Sequence, residues 1–281
     1  MKNLHLFYNK TMYDGLGYYE YDERKKIFVY DKQGGYIRDN KNGKLFTTSL
    51  DPKNGEFKQM FEEKFDNNED YIPSDVAAQT IILKTTYPGL LAGSGYAHGI
   101  SDNNDAKIGF TFDYVTGQPI IPGSSVKGII RSAFNHPEII REELNQMFEK
   151  EDIEALKKDI FENRDIFFDA VVRYVPCDKP LLGTDYITPH SSPIKNPVPV
   201  KFVKVMPGVF LEFRFKLFDT KIILKNGTEF TLTSAQKETL FKAILLLLGV
   251  GAKTNIGYGN LAEPDEKEKA GLTNELVLYR R

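Results

Sequence analysis

Hydrophobic and polar positions follow regular patterns through most of the chain from residue 79 onward. Segments 79–87, 108–114 and 166–175 are rich in β-branched and aromatic residues, which predicts three strands. Segment 137–161 is charged and carries apolar residues at helical spacing, which predicts a helix. Its apolar subset comprises Ile139, Ile140, Leu144, Met147 and Phe148. A short final strand is predicted near residue 260.

A second helix is predicted to begin at Thr233 and to end at Gly249. Gln236 follows Thr233 at the spacing of a capping box, in which each residue's side chain bonds to the other residue's backbone N–H. The buried face of this helix comprises Leu240, Phe241, Ile244, Leu245 and Leu248. Before the helix, segments 201–205 and 209–218 alternate around a Pro-Gly turn and are interpreted as a hairpin.

The order of these elements predicts the fold class. Strand, helix, strand, strand, helix and short strand is the order of a ferredoxin-like or RNA-recognition-motif-like α+β domain. Residues 76–281 are assigned to this domain, with glycine-rich loops, and the tyrosine-rich residues 1–75 to an N-terminal extension. Residues 176–199 contain six prolines and almost no periodicity. They are predicted to form an inserted arm outside the core, either an ordered excursion or a long mobile one.

Composition narrows the functional classes. The chain has 281 residues, 41% of them hydrophobic, enough for one large domain or two small ones. Cys177 is the only cysteine and the four histidines are scattered, so neither a disulfide nor a metal site is expected. No cofactor is expected either. The longest apolar run, at 243–252, is too short to span a bilayer, so we expect a cytoplasmic protein with no membrane partner.

The charge balance bears on nucleic-acid binding. Lysine and arginine number 37 against 39 aspartates and glutamates, which gives a formal net charge of -2. Proteins that bind nucleic acid on their own tend to be strongly basic. RNA binding by this chain would therefore need a local basic patch or the help of partners.

The stretch "IPGSSVKGIIRSAF" at 121–134 combines a turn with the start of a basic, apolar helix. Ser124 or Ser125 is predicted to cap that helix. The first-turn N–H groups, together with Lys127 and Arg131, would then suit a phosphate. The alternative is a well-capped core helix whose two basic residues face solvent.

The stretch "GVGAKTNIGYGN" at 249–260 is a second glycine-rich loop. It is not a nucleotide-binding P-loop, because Ala252 rather than glycine precedes Lys253 and a helix rather than a strand comes first. A cation, a hydroxyl, an amide and an aromatic ring remain: Lys253, Thr254, Asn255 and Tyr258. Such groups can hold a single-stranded backbone and stack on a base. The alternative is a glycine-rich hairpin that only lets two segments pack.

Taken together, "TGQPIIPGSSVKGIIRSAF" at 116–134 and "GVGAKTNIGYGN" at 249–260 resemble the RAMP superfamily of CRISPR-associated RNA-binding proteins. Within it, four segments resemble one subunit of the type III-B (Cmr) effector complex. They are "LLAGSGYAHG" at 90–99, "IGFTFDYVTG" at 108–117, "IFFDAVV" at 166–172 and "DYITPH" at 185–190. The resemblance covers residues 79–261.

The resemblance implies a non-catalytic subunit that grips the 3′ part of the guide RNA and closes one end of a stack of related subunits. Its partners would be the guide RNA, the target RNA duplexed with it and other RAMP subunits. The expected RNA-binding residues are Ser94, Tyr96, His98, Ser124, Ser125, Lys127, Arg131, Lys253, Thr254, Asn255 and Tyr258.

Two enzymatic alternatives stay open. A RAMP paralogue that stacks beside this subunit is thought to cut target RNA with an aspartate after the first strand, and Asp102 and Asp105 lie near that place. His98 could instead act as a base on a 2′-hydroxyl. The interpretation we favour for the "SDNND" loop is an Asx turn and solvated surface. Three further groups are interpreted as structural: Asp169, Asp185 and His190. The second alternative is an enzyme that binds a small anion or nucleotide.

Overall fold

The computed structural model describes residues 77–92, 111–187 and 199–278, two short strands nearer the N-terminus and residues 6, 56, 59 and 60. The two short strands, β1 (Tyr36–Arg38) and β2 (Leu45–Thr47), pair antiparallel. Several residues singled out from the sequence lie outside the described residues: Ser94, Tyr96, His98, Asp102, Asp105 and His190.

The remaining strands form one large sheet and two hairpins. They are β3 (Gln79–Thr85), β4 (Thr111–Phe112), β5 (Pro119–Ile121), β6 (Ile166–Phe167), β7 (Ala170–Tyr174), β8 (Leu182–Ile187), β9 (Val200–Val205), β10 (Phe210–Lys216), β11 (Thr220–Ile223), β12 (Glu229–Leu232) and β13 (Leu261–Ala262). The seven-stranded sheet has the order β13-β3-β10-β7-β5-β4, and β6 also pairs with β10. All of its pairings in the described part of the chain are antiparallel. The mixed helix and sheet content is that of the predicted α+β class.

Five α-helices lie in the described ranges: α1 (Gly123–Ala133), α2 (Pro137–Leu144), α3 (Lys150–Lys158), α4 (Ser234–Leu248) and α5 (Glu266–Leu278). The single helix predicted at 137–161 is therefore wrong. It is divided because Asn145, at the end of α2, adopts a left-handed φ of 48° that a helix cannot continue. A π-helical segment, Asp159–Arg164, then extends α3. No helix among the described residues has the length and apolar character needed to cross a membrane.

The core lies between the large sheet and the helices on one of its faces. Phe215 of β10 meets Phe241 of α4 with ring centroids 5.6 Å apart, and Phe167 lies 5.7 Å from Phe215. The predicted capping box of α4 is confirmed, since the Thr233 hydroxyl accepts from Gln236 N and Gln236 Oε1 accepts from Thr233 N. The helix ends where Gly249 turns the chain at a φ of 68°. The predicted buried face of α4 thus packs on the sheet.

The hairpin predicted next to the inserted arm is wrong. Strand β9 pairs along its whole length with β8, not with β10, so segments 201–205 and 209–218 do not form a hairpin. β10 is instead the central strand between β3 and β7 and is buried at six of its seven positions. β8 lies inside the predicted arm and forms a separate two-stranded sheet with β9, so this part of the arm is an ordered excursion. Contrary to the prediction, Leu181 and Leu182, 3% and 1% exposed, belong to the core.

The opposite face of the sheet carries charged residues. Side chains alternate between faces along a strand, so Glu212 and Arg214 of β10 point away from Phe213 and Phe215. Arg214 Nε donates to Glu212 Oε1 at 2.9 Å, and Arg173 Nε lies 3.4 Å from Glu212 Oε2. Glu212 is 9% exposed and Arg214 5%. This part of the sheet face is therefore closed to a ligand.

Candidate functional site

The glycine-rich loop at 249–260 is tied to residues 86–92, which follow β3. Their backbones are hydrogen-bonded at three places, and a fourth bond closes the loop on itself. The bonds run from Ala252 N to Leu91 O at 2.7 Å, Gly259 N to Gly89 O at 2.8 Å, Thr86 N to Asn260 O at 3.0 Å and Val250 N to Gly259 O at 2.9 Å. We call residues 86–92 and 249–260 together the loop strip. A Cβ on Gly249, Gly251 or Gly259 would overlap a backbone oxygen, so these glycines let the strip pack.

The middle of the loop forms a turn of different character. Lys253 has a left-handed φ of 62° and precedes a 3₁₀ turn at Thr254–Ile256. Lys253 and Asn255 are exposed and Thr254 is half-buried. A residue other than glycine costs roughly 1–2 kcal/mol in the left-handed region, so the surrounding contacts must hold the turn in place. The structure thus brings together three of the predicted RNA-binding residues, and within the described residues the Lys253 side chain has no ion-pair partner.

Tyr258 occupies a different environment from the rest of the loop. It is 6% exposed, and its ring packs edge-on against Phe202 with centroids 5.7 Å apart. Its hydroxyl donates to Asp185 Oδ2 at 2.9 Å, and Lys204 Nζ donates to the same oxygen at 2.7 Å. Tyr258 is therefore committed to the interior and is not presented to a ligand as a stacking surface. Asp185 has the structural role expected of it, because it joins the loop to the β8–β9 hairpin.

This network changes the acidity of both partners. Burial raises the pKa of Asp185, but hydrogen bonds from Lys204, the Tyr186 N–H and Tyr258 outweigh it, so the net pKa is lowered. Burial and the bond to Asp185 raise the pKa of Tyr258 to about 12. Across the neutral range the tyrosine is therefore a neutral donor and the aspartate a charged acceptor, which is the strong form of such a bond.

Asp185→Asn is expected to lower the free energy of unfolding at pH 7 by about 1 kcal/mol, because it weakens the bonds from Lys204 and Tyr258. The lowered pKa of Asp185 means that its stabilising effect is present above the unfolded value of about 3.9 and lost as pH falls through the folded value. Urea unfolding of both proteins should show the difference shrinking below about pH 4. Asp178→Asn, at an exposed site, is the control and should change stability by less than about 0.5 kcal/mol. If the difference in free energy of unfolding between Asp185→Asn and the unmodified protein were the same at pH 7 and below about pH 4, this account would be contradicted.

The start of α1 differs from its predicted form. Pro122 is the N-cap residue and has no side-chain bond, while Ser124 and Ser125 lie exposed in the first turn, so neither serine is the cap. Asp169 Oδ1 instead accepts from Gly123 N at 2.6 Å. A carboxylate from the protein itself thus meets the positive end of the helix, where a phosphate was predicted to bind.

The two cations of α1 also have contacts within the protein. Lys127 Nζ lies over the Phe167 ring at 5.9 Å from its centroid, and an Arg131 guanidinium nitrogen lies 3.4 Å from Glu162 Oε1. The Arg131–Glu162 pair is about half exposed, so it is weak and open to competition from another anion.

The sheet register separates α1 from the loop strip. Gly123 packs against the backbone of Phe167, which pairs with Phe215, and Phe215 pairs with Gln79 at one end of β3. The loop strip adjoins Thr85 at the other end. At roughly 3.3 Å per residue, the seven residues of β3 separate the two predicted phosphate contacts by about 20 Å along the strand. The structure does not unite them in one site.

Comparison with known protein families assigns this chain to one of them. The chain belongs to the RAMP superfamily, whose family model matches residues 82–262, from β3 to β13. The match contains both the α1 segment and the whole loop strip. The sequence-based assignment to this superfamily is confirmed.

Individual proteins give a more specific likeness. The chain is 34% identical over 105 residues to the CRISPR system Cmr subunit Cmr6 of Pyrococcus furiosus, a match that spans 35% of this chain and 30% of that relative. The crystal structure of Cmr6 from Pyrococcus furiosus is similar at a TM-score of 0.41 and 22% identity, covering 66% of this chain and 97% of that one. A chain in the cryo-EM structure of the type III-B Cmr-beta bound to cognate target RNA is similar at a TM-score of 0.46 and 20% identity. This match covers 77% of the present chain and 65% of that one.

Sequence reasoning missed the partners that fix these residues. Asp169 was interpreted only as structural, yet it follows a strand and precedes another, a position from which its carboxylate reaches a helix end. Lys204 gave no signal, because an alternating strand normally turns its lysines to solvent. Among the described residues, no three histidine, cysteine, aspartate or glutamate side chains cluster so as to hold a metal ion.

Proposed function

We propose that this protein is a non-catalytic RNA-binding subunit of a type III-B CRISPR ribonucleoprotein. In this proposal it holds the 3′ part of the guide RNA and closes one end of the subunit stack, in RNA-guided antiviral defence. The observation that carries the proposal is the exposed, conformationally constrained turn at Lys253–Asn255 within a loop of the RAMP family match. The likeness to a Cmr subunit supports the choice of complex.

The sheet supports a ferredoxin-like core for this subunit. The four strands β13-β3-β10-β7 lie in the order expected for two interleaved βαβ units, with α1 to α3 in the first and α4 in the second. RNA-recognition motifs bind bases on the open sheet face. Here Glu212 and Arg214 are buried on that face, so we place RNA on the loops at its ends.

The proposed partners are the guide RNA, the target RNA duplexed with it and other RAMP subunits. The charge of the chain supports shared binding. A formal net charge of -2 gives no general attraction for a polyanion, so Lys253 would act together with neighbouring subunits rather than alone. The exposed side chains away from the loop strip, such as Met147 at 92%, are available for such neighbours.

The non-catalytic role is supported by the carboxylates that the structure describes beside the two glycine-rich elements. Asp169 Oδ1 accepts a hydrogen bond from the first residue of α1, and Asp185 accepts from Tyr258 and Lys204, so both carboxylates have structural roles.

Cleavage by a loop carboxylate is tested by Asp102→Ala and Asp105→Ala in the assembled complex, with target RNA cleavage as the readout. Unchanged cleavage is expected, and its loss would favour the RNase alternative. Calorimetric titration with ATP tests the nucleotide-enzyme alternative, and no binding heat is expected.

Lys253→Ala is expected to weaken binding of single-stranded RNA and to lower the slope of log affinity against log salt by about one, because one phosphate contact is lost. The measurement is fluorescence anisotropy with a labelled RNA between about 50 and 200 mM salt. Lys127→Ala, alone and combined with Lys253→Ala, tests whether the same RNA reaches α1, and the double variant is expected to bind least.

Lys221→Ala is the matched control, since this lysine is 70% exposed on the β11–β12 hairpin. It should leave both affinity and slope as in the unmodified protein. An unchanged slope for Lys253→Ala would contradict its role as a phosphate contact. No RNA binding by the unmodified protein, alone or with its co-purifying subunits, would contradict the proposed function itself.

A further inference from the structure

One aromatic side chain on the loop strip is almost fully exposed. Tyr87 is 85% exposed, two residues after the end of β3. The backbone on both sides of it is fixed, since the N–H and hydroxyl of Thr86 both donate to Asn260 O at 3.0 Å and Gly89 N donates to Thr86 O at 2.7 Å. A large ring is thus presented to solvent from a rigid backbone, which lowers the entropic cost of using it for binding.

Tyr87 lies beside the exposed turn of the glycine-rich loop. A Cβ on Gly257 would lie 3.4 Å from Pro88 Cδ, so the residue after Tyr87 touches the end of the turn. At the other end of the turn, Ala252 is bonded to Leu91. The chain from Pro88 to Leu91 spans at most about 10 Å, so one short ligand can touch both Tyr87 and Lys253.

The sequence around this patch differs from that around Tyr114, another exposed tyrosine. Residues 86–92 and 249–260 contain one cation, Lys253, and no acidic residue. Tyr114 is 80% exposed at the β4–β5 turn, but residues 108–126 contain no lysine or arginine. An aromatic ring beside a cation that has no ion-pair partner among the described residues suits a base and its phosphate.

We propose that Tyr87 stacks on a base of bound RNA whose backbone phosphate is held by Lys253. This inference rests on the proposed function and names the stacking group that Tyr258, being buried, does not supply. Asn255 offers an amide to the same nucleotide, and Ile256, 56% exposed, offers an apolar surface to its sugar. Stacking on an aromatic ring is tolerant of base identity, so the patch would take single-stranded RNA of any sequence.

The test uses the full-length protein and a single-stranded RNA that carries 2-aminopurine, whose fluorescence falls when the base stacks. Tyr87→Ala is expected to weaken binding by roughly 5- to 150-fold and to abolish the fluorescence change. Tyr87→Phe, which keeps the ring, should bind within about 2-fold of the unmodified protein. The salt slope should stay unchanged in both variants, in contrast to Lys253→Ala. Tyr114→Ala is the matched control and should not alter RNA binding.

Several outcomes would overturn the inference. Equal losses in Tyr87→Ala and Tyr87→Phe would assign the effect to the hydroxyl and not to stacking. Normal RNA binding by Tyr87→Ala would also overturn the inference. If that variant then failed to join its co-purifying subunits, the ring would be a protein contact. In both cases the unmodified protein still binds RNA, so the proposed function stands. If the unmodified protein binds no RNA, the proposed function fails and the inference falls with it.

Discussion

Lys237→Ala is expected to lower the free energy of unfolding by about 3–5 kcal/mol, since it leaves a buried charge without its partner. Lys237 lies on the inner face of α4, and its ammonium pairs with the Asp165 carboxylate. Their side chains are 1% and 0% exposed. Urea unfolding followed by circular dichroism measures the loss. A loss below about 1 kcal/mol, the usual range for exposed pairs, would contradict the burial of this pair.

A double variant separates the charge from the packing. Burial raises the pKa of Asp165 even though Lys237 and the Phe218 N–H donate to it, so desolvation outweighs the attraction. Lys237→Met with Asp165→Asn removes both charges and keeps an acceptor for Phe218 N. This double variant is expected to be more stable than Lys237→Ala and close to the unmodified protein. A double variant no more stable than the single one would show that side-chain shape, and not charge, decides this site.

Gly259→Ala is expected to destabilise the protein by about 2–5 kcal/mol. Gly259 has a left-handed φ of 76°, and an added Cβ would overlap the carbonyl oxygen of Val250. The conformation costs another residue roughly 1–2 kcal/mol, and forcing the backbones apart costs roughly 1–3 kcal/mol more. Thermal and urea unfolding measure the loss.

Two other glycines serve as controls for the same substitution. Gly227 has a φ of 85° but open space around it, so Gly227→Ala carries only the conformational cost of roughly 1–2 kcal/mol. Gly128 lies exposed within α1 with nothing near its Cβ position, so Gly128→Ala should stabilise the protein by about 0.5–1 kcal/mol. If Gly259→Ala cost no more than Gly227→Ala, the loop strip would not be closely packed.

The fold was predictable where the signal was local. The limits of α4 follow from Thr233, Gln236 and Gly249, which lie at or next to the ends of this helix, and capping needs no distant partner. The partners of β8 and β10 are set by contacts between segments far apart in the chain. β10 alternates apolar and charged residues, which is typical of a strand with one exposed face, yet Glu212 and Arg214 are buried and the strand is central. The Pro-Gly turn before it suggested a hairpin, but the Gly208 N–H is bonded to Thr85 O across the sheet.

The part of the candidate site that depends on local sequence was also predictable. Lys253 and Asn255 are exposed as expected, since a polar residue among glycines on a loop tip rarely finds a buried partner. The burial of Tyr258 depends on Asp185, 73 residues away, and no local pattern announces it. The sequence pattern did not mark Tyr87 as a candidate RNA contact. This residue ends a strand of alternating residues and reads as part of the sheet, although the strand stops at Thr85.

The loop strip has a consequence for the order in which the protein matures. Its two halves, residues 86–92 and 249–260, are far apart in the chain and are joined by long-range hydrogen bonds. Closing so long a stretch of chain is slow, and during synthesis the second half leaves the ribosome well after the first. An incomplete chain therefore presents Tyr87 without Lys253. RNA that binds across the strip would stabilise only finished molecules, and immature ones would be left out of the assembly.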